Sequence, residues 1–133
     1  VKKWNLIIPV SPGTGRQNAR YAGGMRLSKG YKGFLGSVKA AVIASGIPLP
    51  LPITCVGVSV TAYWPRQHRQ PPLVGIPFGD IDAPLKGLLD GLEKAGVYTD
   101  DSCIVALTVH KQYDAKQPRL EVELWEIDGE DLI

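Results

Sequence analysis

From Val1 to Gly79 the chain contains no aspartate and no glutamate. The same stretch carries ten basic residues: Lys2, Lys3, Arg16, Arg20, Arg26, Lys29, Lys32, Lys39, Arg66 and Arg69. From Asp80 to Ile133 the balance reverses, with 13 acidic and 5 basic residues. The two parts therefore carry +10 and −8, which sum to the net +2 of the chain. An acid-free basic half points to a polyanionic partner, and nucleic acid is the commonest one.

Other scarcities exclude whole classes. There are 2 cysteines, Cys55 and Cys103, too few for a disulfide framework and without metal-type spacing. Both fall in strand-like runs and read as buried thiols. No apolar run approaches the ~20 residues that span a bilayer. The longest, Val38 to Ala62, is broken by Ser45, Gly46 and three prolines. The opening "VKKWNLIIPV" is basic and then apolar, but its apolar part is too short for a signal peptide, so it reads as a strand of a cytoplasmic protein. No internal repeat is present. A length of 133 residues with 44% hydrophobic composition suits one domain, 1–133.

Periodicity gives the order β-α-β-α-β-β. Residues 4–10 read as a strand. Residues 11–26, Gly-rich and basic, read as a loop or arm. A helix follows, with Tyr31, Phe34, Leu35, Val38 and Val42 at helical spacing, Ser28 as cap and Gly46 as stop. Residues 53–64 alternate as a strand. Residues 65–79 form a long Pro-rich loop. Leu85, Leu88, Leu89 and Leu92 line one face of a second helix. Gly87 and Gly91 share another side, which calls for close approach by an element or a second subunit. Residues 102–110 are apolar on both faces and predict a central strand. Residues 119–127 alternate again, and the last two strands predict an antiparallel hairpin. The expected fold is α/β of the two-layer α+β kind, a mixed four-stranded sheet with helices packed on it.

The chemistry concentrates in "FGDIDAPLKGLLDGLEKAG". Asp82 suits a helix N-cap and Pro84 the first turn. Asp80 has no such use. In an extended segment Asp80 and Asp82 face the same side, where paired carboxylates repel unless a cation intervenes. Mg²⁺ favours a few carboxylates, several waters and phosphate oxygens. If the chain doubles back after Gly96, "VYTDD" returns Asp100 and Asp101 to the head of the helix, where one completes the cluster. Lys86 lies one turn in, within reach of a phosphate. Carboxylates, a lysine and a basic half fit metal-assisted phosphodiester hydrolysis. As a bare pattern Asp-x-Asp is weak; it also occurs in metal-dependent glycosyltransferases, and it does not continue as an EF-hand loop.

"GDIDAPLKGLLDGLEKAGVYTDDSCIV" resembles the signature of the RusA-type Holliday junction resolvases. The matching features are Asp80-Ile81-Asp82, then Lys86, then Ala95-Gly96, then Asp100-Asp101 before Ile104-Val105. "LIIPVSPGTGR" is similar to the family's first strand and Pro-rich turn, and "LSKGYKGF" less closely to its helix start. The resemblance implies a homodimer that cuts four-way DNA junctions at two symmetric positions with Mg²⁺ or Mn²⁺. It implies metal ligation by Asp80, Asp82 and Asp101, with Asp100 the lesser member of its pair, and a catalytic role for Lys86. Arg16, Arg20, Arg26, Lys29, Lys32, Arg66 and Arg69 are the expected DNA contacts, and Tyr21 is a candidate for base stacking. His68 reads as a DNA or solvent contact, His110 as a surface residue, and Trp4, Trp64 and Trp125 as core. The family's asparagine after the second aspartate is Ala83 here, which leaves open a non-catalytic DNA-binding module of the same fold. A metal-dependent nucleotide transferase is a third reading and requires a deep small-molecule pocket.

Overall fold

A computed structural model describes residues 2–15 and 29–128. Its elements are β1 (Lys3–Ile8), α1 (Lys29–Ser45), β2 (Val56–Trp64), α2 (Leu85–Lys94), β3 (Ile104–Tyr113) and β4 (Arg119–Glu126). Short 3-10 turns occupy Pro12–Gly15 and Asp101–Cys103. The four strands form one mixed sheet, so the expected order and two-layer α+β class hold. Arg16, Arg20, Tyr21, Arg26, Ser28 and the final residues 129–133 lie outside the described residues.

Strand alternation sorts the side chains. Leu6 and Ile8, then Val58, Val60, Ala62 and Trp64, then Leu120, Val122 and Leu124 are all buried and meet the helices. α1 supplies Tyr31, Phe34, Val38 and Val42, spaced three or four apart on one face. α2 supplies Leu88 and Leu92, both fully buried, each worth about 1.5–3 kcal/mol of apolar burial. The close approach expected at Gly87 and Gly91 is to α1. A Cβ at Gly91 would lie 2.9 Å from Val38, and one at Gly87 would lie 2.9 Å from Phe34. Gly96 ends α2 at φ 86°, a conformation glycine adopts without steric cost.

Two strand expectations are corrected. The sheet order is β1-β4-β2-β3, so β3 is an edge strand rather than a central one. It runs parallel to β2, while β4 pairs antiparallel with β1 and β2; β3 and β4 form no hairpin. The reason is the turn at 114–118. It passes over the end of β2, where the Asp114 N–H donates to the Trp64 carbonyl at 2.9 Å, and it sets β4 on the far side of that strand. Asp114 shapes the turn by accepting from the N–H groups of Lys116 and Gln117 and from Arg119. These hydrogen bonds, the Gln117 N–H foremost, hold its carboxyl below the usual carboxylate range. The apolarity of β3 serves an edge: Ile104 packs against the core, while Val105 and Leu107 remain partly open to solvent.

Candidate active site

β1 is antiparallel to β4, β4 to β2, and β2 is parallel to β3. Strands β1, β2 and β3 therefore point the same way, and their C-terminal ends meet at one edge of the sheet. An open cleft of about 1020 Å³ lies there, lined by Ser11 and Thr14 after β1, Trp64 at the end of β2 and Arg66 after it, Lys111 of β3, and Asp80 and Asp82.

The approach to the aspartates is built from backbone. Gly79 lies flat against the Trp64 indole, and any Cβ there would collide with the ring. Lys111 reaches across from β3, and its Nζ donates to the carbonyls of Gly79 at 2.7 Å and Pro77 at 3.1 Å. The peptide just before Asp80 is thus held from below by an aromatic face and from the side by an ammonium. Sequence reading did not single out Lys111. Its only signal was a lysine just beyond the apolar run 102–110, where the strand in fact continues to Tyr113.

The Asp80–Pro84 segment turns rather than extends, with Ala83 N–H to Asp80 O and Leu85 N–H to Asp82 O, both at 3.1 Å. The cap position of α2 is Pro84, without a side-chain cap. The expected capping role of Asp82 is therefore not met: the backbone carbonyl of Asp82, not its carboxylate, accepts at the helix start. Among the described residues neither the Asp80 nor the Asp82 carboxylate has a hydrogen bond or ion pair. Two exposed, unpartnered carboxylates two residues apart offer hard oxygen donors to a cation.

Asp100 and Asp101 lie elsewhere. The Asp101 N–H donates to Glu93 Oε1 at 3.1 Å, and Asp100 accepts from the Ser102 N–H at 3.1 Å, the main cause of its lowered pKa. The ligand atoms of Glu93, Asp100 and Asp101 lie within 4.8 Å of one another, at the last turn of α2. Among the described residues Asp80, Asp82 and Asp101 form no such group. The chain does not retrace the helix after Gly96. Val97 and Tyr98 are buried at its C-terminal end, where the Tyr98 hydroxyl donates to Leu89 O at 2.8 Å. Burial pushes the pKa of that hydroxyl far above the usual phenol range.

Lys86 faces Asp90, 3.4 Å away, and Asp90 also accepts from the Tyr31 hydroxyl at 2.9 Å. Lys29 and Lys32 are exposed at the start of α1, flanking Gly30, which lines the cleft. Arg66 lines the cleft, and Arg69 lines a neighbouring hollow of about 790 Å³. The His68 ring lies tilted against Phe78 with centroids 4.6 Å apart, and His110 is exposed on β3. Trp64 is buried beneath the cleft. Trp4 packs on the core edge, and Trp125 covers Gly57.

No helix of the described residues is long and apolar enough to cross a membrane. A search of curated proteins returns no match. The sequence model of the family described as Endodeoxyribonuclease RusA matches residues 9–125. That span takes in both aspartate pairs, Lys86, Lys111, β2, β3 and all of β4 but its last residue, and begins just after β1. The chain belongs to the RusA endodeoxyribonuclease family.

Proposed function

We propose that this protein is a metal-dependent endodeoxyribonuclease that resolves four-way DNA junctions by paired cuts, acting as a homodimer. The observation that carries the reading is the pair of carboxylates, Asp80 and Asp82, unpartnered among the described residues, on a cleft lined also by Trp64 and Lys111. Family membership supplies the reaction class. The carboxylate donors suit Mg²⁺ or Mn²⁺ better than a soft metal. Such an ion supplies activation of water and charge neutralisation at the scissile phosphate.

The chain's own residues do the positioning. Asp80 and Asp82 hold the ion at the head of α2. Lys86 is assigned to the phosphate. Its ion pair with Asp90 is an i,i+4 contact at 3.4 Å in which the lysine side is exposed, so the ammonium can exchange it for a phosphate oxygen. Arg66 on the cleft, Arg69 on its neighbour and Lys29 and Lys32 at the start of α1 form, with Arg16, Arg20 and Arg26, the assigned basic track for the DNA backbone. Asp101 is the proposed third ligand. It sits at the far end of α2, so Asp101 of the partner subunit is the assigned donor. Mixing Asp82→Asn with Asp101→Asn protein tests this: regained cutting supports a shared site, and no regain assigns Asp101 to another role.

The test of function is incubation with Mg²⁺ of four-way junctions and of linear duplexes with the same arm sequences. Junction cutting with the duplex spared is expected. No cutting with Mg²⁺ or Mn²⁺ across neutral and alkaline pH would overturn the reading. It would favour the non-catalytic DNA-binding module suggested by Ala83, whose mark is junction binding without a calorimetric metal site. Light scattering tests the homodimer; a monomer at micromolar concentration contradicts it.

A further inference from the structure

The Pro-rich stretch between β2 and α2 is built as an arm, and its hydrogen bonds form a short ladder. Phe78 N–H donates to Arg66 O, His68 N–H to Ile76 O, and Gly75 N–H to His68 O, each at 2.8 Å. Gln67 and Pro77 form a β-bridge. A turn closes the end, with Leu73 N–H to Gln70 O at 3.1 Å. At the root, Phe78 is gripped between the Arg66 guanidinium, 5.4 Å from the ring centre, and His68. Lys111 ties the root to β3. Arg66 and Phe78 border hollows on both sides of the arm.

The tip carries the wrong chemistry for a solvated loop. Leu73 is 45% exposed, Val74 61% and Ile76 41%. Leu73 and Ile76 border the same cleft as Asp80 and Asp82. The flanks carry Arg66, His68 and Arg69, with no acidic residue on the arm. An apolar tip on a basic, backbone-braced stem matches one occupant: a nucleic-acid helix whose phosphates meet the stem and whose bases meet the tip. Apolar wedges work in this way, entering between base steps where stacking is already weak. A branch point interrupts stacking, whereas a linear duplex presents an intact stack.

We propose that the tip, Leu73 and Val74 foremost, enters the base stack at the branch point and gives the protein its preference for branched over linear DNA. The inference rests on the DNA-junction reading above and assigns to these residues a role in substrate choice, not in the hydrolytic step. An apolar wedge of this kind should change affinity by about tenfold.

The test uses the full chain in EDTA, so that binding is read without cutting. The probes are a four-way junction with 2-aminopurine beside the branch point and a linear duplex carrying the same base. Wild type should raise the junction fluorescence and bind the junction more tightly than the duplex. The Leu73→Ser/Val74→Ser variant should lose most of the fluorescence rise and about tenfold of the preference, with duplex affinity unchanged. The Leu73→Ser/Val74→Trp variant should keep both and guards against a folding artefact. A serine variant that unstacks and discriminates like wild type overturns the proposal. So does a serine variant whose only defect is dissociation into monomers, because the tip is then a subunit contact. Wild type that binds both probes equally instead removes the junction reading itself.

Discussion

Single residues decide whether the cleft can hold a cation. The turn at 80–84 closes through backbone atoms, and it leaves the Asp80 and Asp82 carboxylates without a partner among the described residues. Gly79 is required because the Trp64 ring occupies the space of a side chain. Lys111 fixes the carbonyl before Asp80. Lys111→Met should leave the fold intact and weaken Mn²⁺ binding roughly 10- to 100-fold, the range typical for residues that orient metal ligands. Lys111→Arg, which keeps charge and donors, should recover most of the loss. Calorimetry on the three proteins checks this, and equal affinities would deny Lys111 any positioning role.

At the scale of elements, the contact between α1 and α2 sets where the head of α2 lies. Gly91→Ala drives a methyl onto Val38. Overpacking of this kind costs about 1–3 kcal/mol, against a gain in helix propensity of about 1 kcal/mol. A net loss of stability in urea unfolding is expected. Gly36→Ala on α1 meets nothing within 4 Å and should stabilise by about 0.5–1 kcal/mol. The opposite signs of the two changes are the diagnostic result. Helix faces, strand alternation and both helix stops were legible in the sequence, because they depend on local spacing. The position of β3 was not. Apolar residues on both faces describe a central strand and a partly open edge strand equally well, and pairing partners are a long-range property. The arm at 66–78 was also hidden, since its ladder is made by backbone groups of residues that locally read as loop. Asp82 as a helix cap was a sound local reading, which Pro84 displaced.

For the whole molecule, the charge split legible in the sequence is the feature with the widest consequence. Arg66 of the arm lines the cleft, and Lys29 is next to Gly30 of its lining, so contacts to the DNA backbone should dominate affinity. Binding to DNA should fall steeply with salt. About 6–10 phosphate contacts would cost roughly 10³–10⁵ in affinity between 50 and 200 mM salt. Filter binding across that range measures the slope, and a flat response would remove the basic track from the account. The aspartate signature was legible at the scale of sequence, while its division between the two ends of α2 was not. A return of Asp100 and Asp101 to the head of α2 requires the chain to double back along the helix after Gly96. Burial of Val97 and Tyr98 keeps it at the C-terminal end instead.

The most direct measurement compares wild type with Asp82→Asn on a four-way junction, reading cutting with Mg²⁺ and binding without it. Among the described residues the Asp82 carboxylate has no hydrogen bond to lose, so the variant should fold normally. It should bind the junction at least as tightly as wild type, because a negative charge is gone, and its cutting should fall to background. Cutting at the wild-type rate by Asp82→Asn would contradict the central claim that the head of α2 is the catalytic metal site.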